Sequence, residues 1–550
     1  MTVEAARGLV HTLKEEGVEW VSTFPTSVFN NAVGEEDEIE NLMMRDERYA
    51  VAVADGFSRV SNGKRFGVCS VMGGLNAAGI QMAYGALAQA YEDGTPLLCL
   101  TEGVPLESRG KERFDITDAF KGVTKWIGYI NRAERVPEFM RRAYTYLKTG
   151  RPGPILLQLA RGVGEYDLEE FPYRKTAGWR SAGDPQDVKK AVKALIRAEK
   201  PLIWAGQGVF YADACKELLS FAEMVGAPVM TTLKGKSCFP EDHELSLGVR
   251  GKPVEHFLRY SDLIMTIGVG FNPSHFMHSI PAVGNKGVIQ CTIDPMDINR
   301  NCWVDLAILG DVKLIFEQLI DEIGNHSRRG GDDHLLAEIE GVKKQKAEKY
   351  EPLMGSDETP INPYRVYGDM MKALDMDNSF VTHESGNTRD QLSTIYNAHT
   401  PHGFLGWGNV TTLGFGLGAS IGAKLAYPNR QVICVTGDAG VGYQMGNWEA
   451  LVRNNIGITL VHINNDGFGG YGAGFWGEGH TPYTSEVTCH HVQSSAEVAE
   501  GLGIDAERIE EPDEIIPSIQ RCLVKNRSGA PALLEIICSQ YPVYGQWVRG

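Results

Sequence analysis

The sequence predicts an α/β protein with three doubly wound parallel-sheet domains. Short apolar strands alternate with longer helical stretches along the whole chain, and this alternation is typical of parallel sheets covered by helices on both faces. The chain has 550 residues. At this length a single core no longer grows, and roughly three domains of ordinary size are expected. We therefore expect three sheets, each formed by one segment of the chain.

Two polar stretches separate the three segments. The first domain is expected at residues 1–170, and a turn-rich linker at 171–185 follows it. The middle domain is expected at residues 186–325. A charged connection with a helix around 343–349 then leads to the third domain, residues 360–550.

Composition excludes several classes of function. Hydrophobic residues make up 43% of the chain and charged residues 22%, as in soluble globular proteins. The net charge of −17 disfavours nucleic acid and anionic membranes as binding partners. The amphipathic, acidic N-terminus is unlike a signal peptide, so we expect a cytoplasmic protein. The 10 cysteines form no CxxC pair, which favours reduced thiols over disulfides or zinc.

Oxygen-bearing side chains follow two neighbouring apolar runs of the third segment. The first run, 432–435, is followed by Asp438, and the second, 458–463, is followed by Asn464 and Asn465. In a right-handed parallel crossover both strand ends lie at the same edge of the sheet, so Asp438 and Asn465 are expected to converge. Carboxylate and amide oxygens suit Mg²⁺. The sequence therefore predicts a magnesium site at this edge.

Glycines surround the predicted metal ligand. Gly437, Gly440 and Gly442 allow backbone amides to approach a phosphate group, and a helix predicted to begin near Tyr443 points its positive end toward it. Mg²⁺ usually shares its ligands between protein and phosphate oxygens. We interpret the stretch as a metal-bridged diphosphate site.

The glycine, aspartate and asparagine residues of this stretch resemble a known cofactor-binding motif. Gly437-Asp438-Ala439 followed by Asn464-Asn465 resembles the thiamine-diphosphate binding motif, usually written GDG and then NN. Ala in the third position is known notably from acetolactate synthases. The resemblance is to thiamine-diphosphate-dependent enzymes of the acetolactate synthase and 2-oxo acid decarboxylase group. It covers nearly the whole chain and implies pyrimidine-binding, middle and diphosphate-binding domains in this order.

The resemblance assigns a catalytic carboxylate to the first domain. Glu47 precedes a small-residue helix ending in Asp55-Gly56 and Arg59, as a glutamate does in the family. That glutamate hydrogen-bonds the cofactor's aminopyrimidine and drives its activation. The neighbouring Asp46 is disfavoured because it faces another side of the helix. Since the family's cofactor lies between subunits, the resemblance implies a homodimer with intersubunit active sites, and we expect a homotetramer.

The resemblance also implies a set of cofactor and metal contacts. Leu413 holds the position of the large apolar residue that props the bent cofactor, and the carbonyl group of Thr411 accepts from its amino group. Gly386 and Asn387 stand in the second diphosphate loop. The expected metal ligands are Asp438, Asn465 and the carbonyl group of Gly467. The expected cofactor-binding residues are Glu47, Asn76, Gly386, Asn387, Thr411, Leu413, Gly437, Asp438, Ala439, Gly440, Asn465, Gly467 and Phe468.

The branch of chemistry stays open at this point. After a 2-oxo acid loses carbon dioxide, a proton donor gives an aldehyde, as in decarboxylases, and a second carbonyl compound gives a ketol, as in acetolactate synthase. Ser27 matches an active-site serine of decarboxylases. The substrate-handling glutamine-glutamate pair of the synthases is replaced, and Glu112 and Arg113 stand at the nearest alignable positions. We expect carboligation after decarboxylation, with a non-oxidative decarboxylase as the alternative. A non-catalytic regulatory homologue is disfavoured because Glu47, Asp438 and Asn465 are all retained.

Two further stretches of the chain contain candidate functional residues. His480 lies in a glycine-rich stretch that suits a lid, so it is a candidate proton donor or substrate ligand, although a surface histidine is the simpler explanation. His490 and His491 follow it without an assigned role. The GxG at 206–208 lacks the third glycine of a dinucleotide motif, Tyr211 taking its place, and is interpreted as a structural turn. Some branches hold FAD in the middle domain, and nothing in the sequence supports FAD here.

Overall fold

The computed structural model describes residues 1–25, 27–75, 77–324, 333–467 and 493–549. The chain forms two compact units. The first unit comprises Met1–Arg180, Leu417–Pro428 and Gly446–Asn454, and the second comprises the rest of the described chain.

The first unit contains a six-stranded parallel sheet in the order β3-β2-β4-β5-β7-β6. The four central strands of this sheet are buried along their whole length, as expected for a parallel sheet covered by helices, whereas the edge strand at Glu40–Met43 is largely exposed. A short strand at Thr2–Glu4 (β1) pairs antiparallel with Glu165–Asp167 (β8). The sheet strands are Trp20–Thr23 (β2), Glu40–Met43 (β3), Gly67–Val71 (β4), Leu97–Gly103 (β5), Trp126–Ile130 (β6) and Ile155–Ala160 (β7).

Helices of the first unit begin and end at recognisable signals. Gly17 ends the first helix with a φ of 84°, which favours glycine. Asp46 caps the third helix, its carboxylate accepting from the backbone N–H of Tyr49 at 2.9 Å. The helices are Ala5–Glu16 (α1), Val28–Gly34 (α2), Glu47–Arg59 (α3), Ala78–Asp93 (α4), Ile116–Phe120 (α5) and Val136–Lys148 (α6).

The second unit contains the middle sheet, in the order β11-β10-β9-β12-β13-β14. Its strands are Pro201–Ala205 (β9), Val229–Thr231 (β10), Ser246–Gly248 (β11), Leu263–Ile267 (β12), Gly287–Thr292 (β13) and Leu306–Leu309 (β14). Its helices are Pro185–Arg197 (α7), Gly208–Tyr211 (α8), Cys215–Val225 (α9), Lys252–Tyr260 (α10), Val312–Gly324 (α11) and Asp333–Met354 (α12).

The second unit also contains the third sheet, in the order β16-β15-β17-β18-β20-β19. Its strands are Ser379–His383 (β15), Phe404–Leu405 (β16), Gln431–Gly437 (β17), Thr459–Asn464 (β18), Asp505–Ile509 (β19) and Ala532–Ile537 (β20). The helices that follow α12 along the chain are Pro363–Ala373 (α13), Asn387–Ile395 (α14), Phe415–Ala426 (α15), Asp438–Gln444 (α16), Trp448–Arg453 (α17), Ser495–Gly501 (α18) and Ile515–Asn526 (α19). Of these, α17 and the part of α15 from Leu417 onward belong to the first unit.

The predicted fold class is confirmed, because three six-stranded parallel sheets are flanked by helices. The described cysteines are free thiols, most of them buried. Among the described residues, no helix combines the length and apolar character needed to span a membrane. The predicted domain boundaries stay predictions.

One local expectation is wrong. The helix predicted to begin near Tyr443 starts at Asp438 as α16 and gives way to a 3-10 turn at Met445–Asn447. Gly440 therefore lies inside the helix. A Cβ atom at Gly440 would lie 2.6 Å from Cγ of Glu384, so close packing requires glycine there although glycine is a poor helix former.

Candidate active site

Asp438, Asn465 and Gly467 lie together at one edge of the third sheet. β17 and β18 are neighbouring parallel strands, with Gly437 in register with Ile463, so their carboxyl ends meet. The side-chain amide of Asn465 lies 2.9 Å from Oδ2 of Asp438 and 2.7 Å from the carbonyl oxygen of Gly467. With its nitrogen toward them, Asn465 donates to both oxygens. With its oxygen toward them, three oxygens face one another.

This donor set fits Mg²⁺. Neighbouring oxygens around an octahedral Mg²⁺ ion stand about 2.9 Å apart, because the Mg–O distance is about 2.0–2.1 Å. The 2.7 and 2.9 Å spacings around Asn465 are close to that value. The described chain contains no group of three or more His, Cys, Asp or Glu residues suited to a metal, so one carboxylate with amide and carbonyl oxygens is its best candidate.

The two paired asparagines have different contacts. The Nδ2 of Asn464 donates to Oε1 of Glu535 at 2.8 Å, and its Oδ1 accepts from the backbone N–H of Asp466 at 3.2 Å. Only Asn465 therefore turns its side chain toward Asp438. Asn464 holds the strand end in place.

The second diphosphate loop precedes α14. Gly386 has a φ of 110°, a conformation that favours glycine, and a Cβ atom there would meet open space. Nδ2 of Asn387 is shielded from solvent and has no hydrogen-bond partner in the part of the chain that the structure describes. Because a buried amide donor without a partner costs free energy, this atom suits an incoming phosphate oxygen.

Glu384 is a buried carboxylate that the sequence analysis missed. Its Oε1 accepts from the backbone N–H of Gly416 at 2.8 Å and from Nε2 of Gln444 at 2.9 Å. Its Oε2 accepts from the N–H of Gly414 at 3.0 Å. Burial raises the pKa of Glu384. Since Gly414 directly follows Leu413, this carboxylate fixes the backbone beside the predicted cofactor prop.

The remaining predicted residues of this unit lie at the same sheet edge or in the loop before α15. Gly437 and Ala439 flank Asp438 and are only partly buried. Thr411 and Leu413 are also partly buried. His383 is buried and stacks on the Trp407 ring, and burial lowers its pKa to about 3, so it is a neutral core histidine.

In the first unit, Glu47 begins α3 and packs against the first turn of α4. A Cβ atom at Gly79 would lie 2.6 Å from Oε1 of Glu47. Burial raises the pKa of Glu47 above the ordinary glutamate value, a direction that favours a carboxyl group that holds a proton. Asp46 accepts from Nδ2 of Asn447 at 2.9 Å as well as capping α3, so its carboxylate is occupied.

The predicted substrate residues, Ser27 and Glu112, contact neighbouring protein side chains and backbone. The Ser27 hydroxyl group accepts from the N–H of Phe29 at 3.2 Å and contacts Oγ of Ser70 at 3.1 Å. Oε1 of Glu112 lies 3.9 Å from Arg109, and this is an ion pair within one loop. Contacts of this kind are common in structural roles.

The sequence analysis missed an ion pair at the end of β5 between the buried Glu102 and the exposed Arg161. Glu102 accepts from the N–H of Val28 at 2.9 Å and from Nη2 of Arg161 at 2.7 Å. Val28 begins α2, directly after Ser27, so Glu102 connects three loops at the carboxyl edge of this sheet.

Three models of one protein family match the chain in order. The N-terminal TPP binding domain of thiamine pyrophosphate enzymes matches residues 3–124, the central domain matches 188–319, and the C-terminal TPP binding domain matches 384–536. The chain belongs to the thiamine pyrophosphate enzyme family. It is a thiamine-diphosphate-dependent enzyme.

Curated members of this enzyme family are similar over nearly the whole chain. A probable acetolactate synthase large subunit from Methanococcus aeolicus is 31% identical over 95% of this chain and 90% of its own length. Its counterpart from Methanocaldococcus jannaschii is 31% identical over 97% and 92%. A glyoxylate carboligase from Escherichia coli O157:H7 is 28% identical over 97% and 93%.

Some predicted residues of this thiamine-diphosphate enzyme lie outside the described residues. They are Asn76, Phe468, His480, His490 and His491. The GxG of the middle sheet is explained by packing, because a Cβ atom at Gly206 would lie 2.3 Å from the carbonyl oxygen of Gly268.

Proposed function

We propose that this enzyme is a Mg²⁺-dependent carboligase that decarboxylates a 2-oxo acid and joins the remaining fragment to a second carbonyl compound. The observation that carries this proposal is the similarity to relatives of two different names. An acetolactate synthase and a glyoxylate carboligase both match over more than nine-tenths of the chain. Carboligation is the chemistry that these two names share.

Residues of the second unit supply the binding half of the site. When bound, thiamine diphosphate supplies the carbon nucleophile that adds to a 2-oxo acid. Asn387 and the backbone around Gly386 bind the diphosphate oxygens. Leu413 and the Thr411 carbonyl group orient the reactive end, and Glu384 holds the adjoining backbone.

Glu47 supplies the proton transfer. Its burial beside Gly79 raises its pKa above the ordinary glutamate value, a direction that favours the protonated carboxyl group that would hydrogen-bond a ring nitrogen of the cofactor. Glu47 then holds or releases that proton at its own carboxyl oxygens. Positioned proton transfer of this kind contributes about 10²–10⁴-fold to a rate.

Dependence on Mg²⁺ is supported by the oxygen cluster. With its amide oxygen turned toward them, Asn465 would stand 2.9 Å from Oδ2 of Asp438 and 2.7 Å from the carbonyl oxygen of Gly467, close to the spacing of neighbouring Mg²⁺ ligands. Cofactor phosphates and water complete such a shell in proteins.

A homodimer is supported by the exposed apolar side chains of α4. Met82, Tyr84 and Tyr91 on this helix are 59%, 41% and 39% exposed. Tyr84 and Tyr91, seven residues apart, lie on one side of the helix and Met82 lies on the other side, so large exposed apolar side chains flank its buried face. Exposed apolar side chains of this size mark an interaction site, and α4 carries Gly79 next to Glu47. We propose that a second copy covers these side chains and that two dimers form a tetramer. Met82→Glu is expected to release monomers in light scattering and to abolish turnover, whereas an active dimer would contradict the assignment of this surface.

The test of function is a product screen. Purified enzyme with thiamine diphosphate and MgCl₂ receives 2-oxo acids, alone and with acceptor aldehydes, and carbon dioxide, aldehyde and ketol are measured separately. Ketol formation that depends on both thiamine diphosphate and MgCl₂ supports the proposal. Aldehyde without ketol identifies a decarboxylase instead. Glu47→Gln is the matched control, because it keeps the size of the side chain and removes the acid.

A further inference from the structure

His462 is a buried histidine in the middle of an apolar strand. It lies in β18, and the structure shows its imidazole ring between Asp438 and Ser495 with none of the three side chains accessible to solvent. Its Nε2 is 2.9 Å from Oδ1 of Asp438, and its Nδ1 is 2.8 Å from Oγ of Ser495. Both ring nitrogens therefore have polar partners.

The directions of these hydrogen bonds follow from the partners. A carboxylate only accepts, so Nε2 carries the proton and donates to Asp438. In the neutral ring Nδ1 then accepts from the hydroxyl group of Ser495. Burying an imidazole in a central strand costs free energy unless both nitrogens are bonded, and an aliphatic residue packs there without that requirement. The histidine is explained by its contact with Asp438.

The contact acts on one oxygen of the carboxylate. His462 engages Oδ1, while Oδ2 faces Asn465 and accepts from the backbone N–H of Gly467 at 3.0 Å. Rotation of the carboxylate would break the bond to His462. Ser495, the first residue of α18, in turn prevents the ring from rotating.

We propose that His462, held by Ser495, is a positioning residue that keeps Oδ2 of Asp438 directed at the Mg²⁺ ion. This inference rests on the proposed Mg²⁺ site. Groups that hydrogen-bond a metal-ligating side chain orient it, and their loss typically costs about 10- to 100-fold in metal affinity. A nucleophilic serine relay is excluded for this trio, because the Ser495 side chain is buried and already bonded to the ring.

Two substitutions of similar size separate positioning from packing. In His462→Gln the amide nitrogen stands at the same number of bonds from Cβ as Nε2, so it reaches Asp438. In His462→Asn the shorter amide reaches only the position of Nδ1, beside Ser495. We measure the apparent Mg²⁺ dissociation constant of each full-length variant by titrating MgCl₂ at saturating thiamine diphosphate and following thermal unfolding. Displacement of Mn²⁺, read from its electron paramagnetic resonance signal, gives a second value.

The expected result is a Mg²⁺ affinity near wild type for His462→Gln and about 10- to 100-fold weaker for His462→Asn. Equal loss in both variants, or no loss in His462→Asn, overturns the proposal. Ser495→Ala removes only a hydroxyl group and is expected to weaken Mg²⁺ binding to a smaller extent. Wild-type affinity in Ser495→Ala and in every His462 variant that folds also overturns it.

A matched control uses another buried histidine with two hydrogen bonds. His278 contacts the carbonyl oxygen of Val249 at 2.9 Å, and its Nδ1 accepts from the N–H of Val548 at 2.9 Å. His278→Asn is expected to lower the unfolding temperature without changing the Mg²⁺ dissociation constant. If wild-type protein shows no response to MgCl₂, the proposed Mg²⁺ dependence fails, which is distinct from a failure of His462 alone.

Discussion

Replacing Gly79 with alanine should disable the enzyme through Glu47. Gly79 lies in the first turn of α4, where alanine is ordinarily favoured over glycine by about 1 kcal/mol. Here the added Cβ atom would lie 2.6 Å from Oε1 of Glu47 and 2.9 Å from both Cβ and the carbonyl oxygen of Met72. The Met72 carbonyl group accepts from the N–H of Ile80 at 2.8 Å and cannot yield freely. The Glu47 carboxylate is the group that moves.

The size of the effect follows from these distances. Carbon and oxygen atoms that are not bonded need a separation of more than about 3 Å, so the Glu47 carboxylate must shift by several tenths of an ångström or more. Overpacking of this kind lowers folding stability by about 1–3 kcal/mol. A catalytic group displaced by about 1 Å loses about 10²-fold in rate. We expect Gly79→Ala to lower kcat by about 10²-fold, with a small net change in stability because the helix gain offsets part of the strain.

The assay compares initial ketol formation with thermal unfolding. Gly341→Ala is the control, since Gly341 lies within α12 and a Cβ atom there meets nothing within 4 Å; it should raise stability by about 1 kcal/mol and leave kcat unchanged. Gly79→Ala should add little to the loss already caused by Glu47→Gln, because both act on one carboxyl group. Wild-type kcat in Gly79→Ala, or full additivity with Glu47→Gln, would refute the reasoning.

Three further substitutions test the site. Glu47→Gln should lower kcat by about 10²–10⁴-fold. Because burial raises the folded-state pKa of Glu47, the wild-type protein loses folding stability as pH rises through that pKa. The variant should therefore be more stable than wild type at pH 7, and thermal unfolding at several pH values should show this gain vanish below about pH 4.3. Glu384→Gln turns an NH₂ group toward backbone N–H donors and should lower the free energy of unfolding, measured in urea, by about 1–3 kcal/mol. An unchanged free energy of unfolding would contradict the hydrogen-bond network. Asn387→Ala should weaken thiamine diphosphate binding by about 10- to 100-fold in calorimetry, and unchanged affinity would remove Asn387 from the diphosphate site.

The sequence was sufficient for the parts of the structure that depend on local pattern. The runs at β17 and β18 are apolar and end in polar residues, so their parallel pairing and the meeting of Asp438 with Asn465 could be predicted. The start of α16 could not, because Gly440 and Gly442 disfavour a helix, and the close packing of Gly440 against Glu384 is a tertiary contact that the local pattern does not contain. His462 and Ser495 were also missed, since their contact joins positions 33 residues apart.

The buried carboxylate of Glu384 connects the glycine-rich segments of the site. Among the described residues no basic side chain donates a hydrogen bond to Glu384. Burial raises its pKa, so a charge there is costly by itself. Its donors come from the loop before α15, from the start of α15 and from the end of α16. An apolar residue at this position would leave these N–H groups without acceptors in a dry interior, a penalty of about 1–3 kcal/mol for each. The carboxylate therefore keeps the loop carrying Leu413 and the helix carrying Asp438 in one arrangement, as preorganised binding requires.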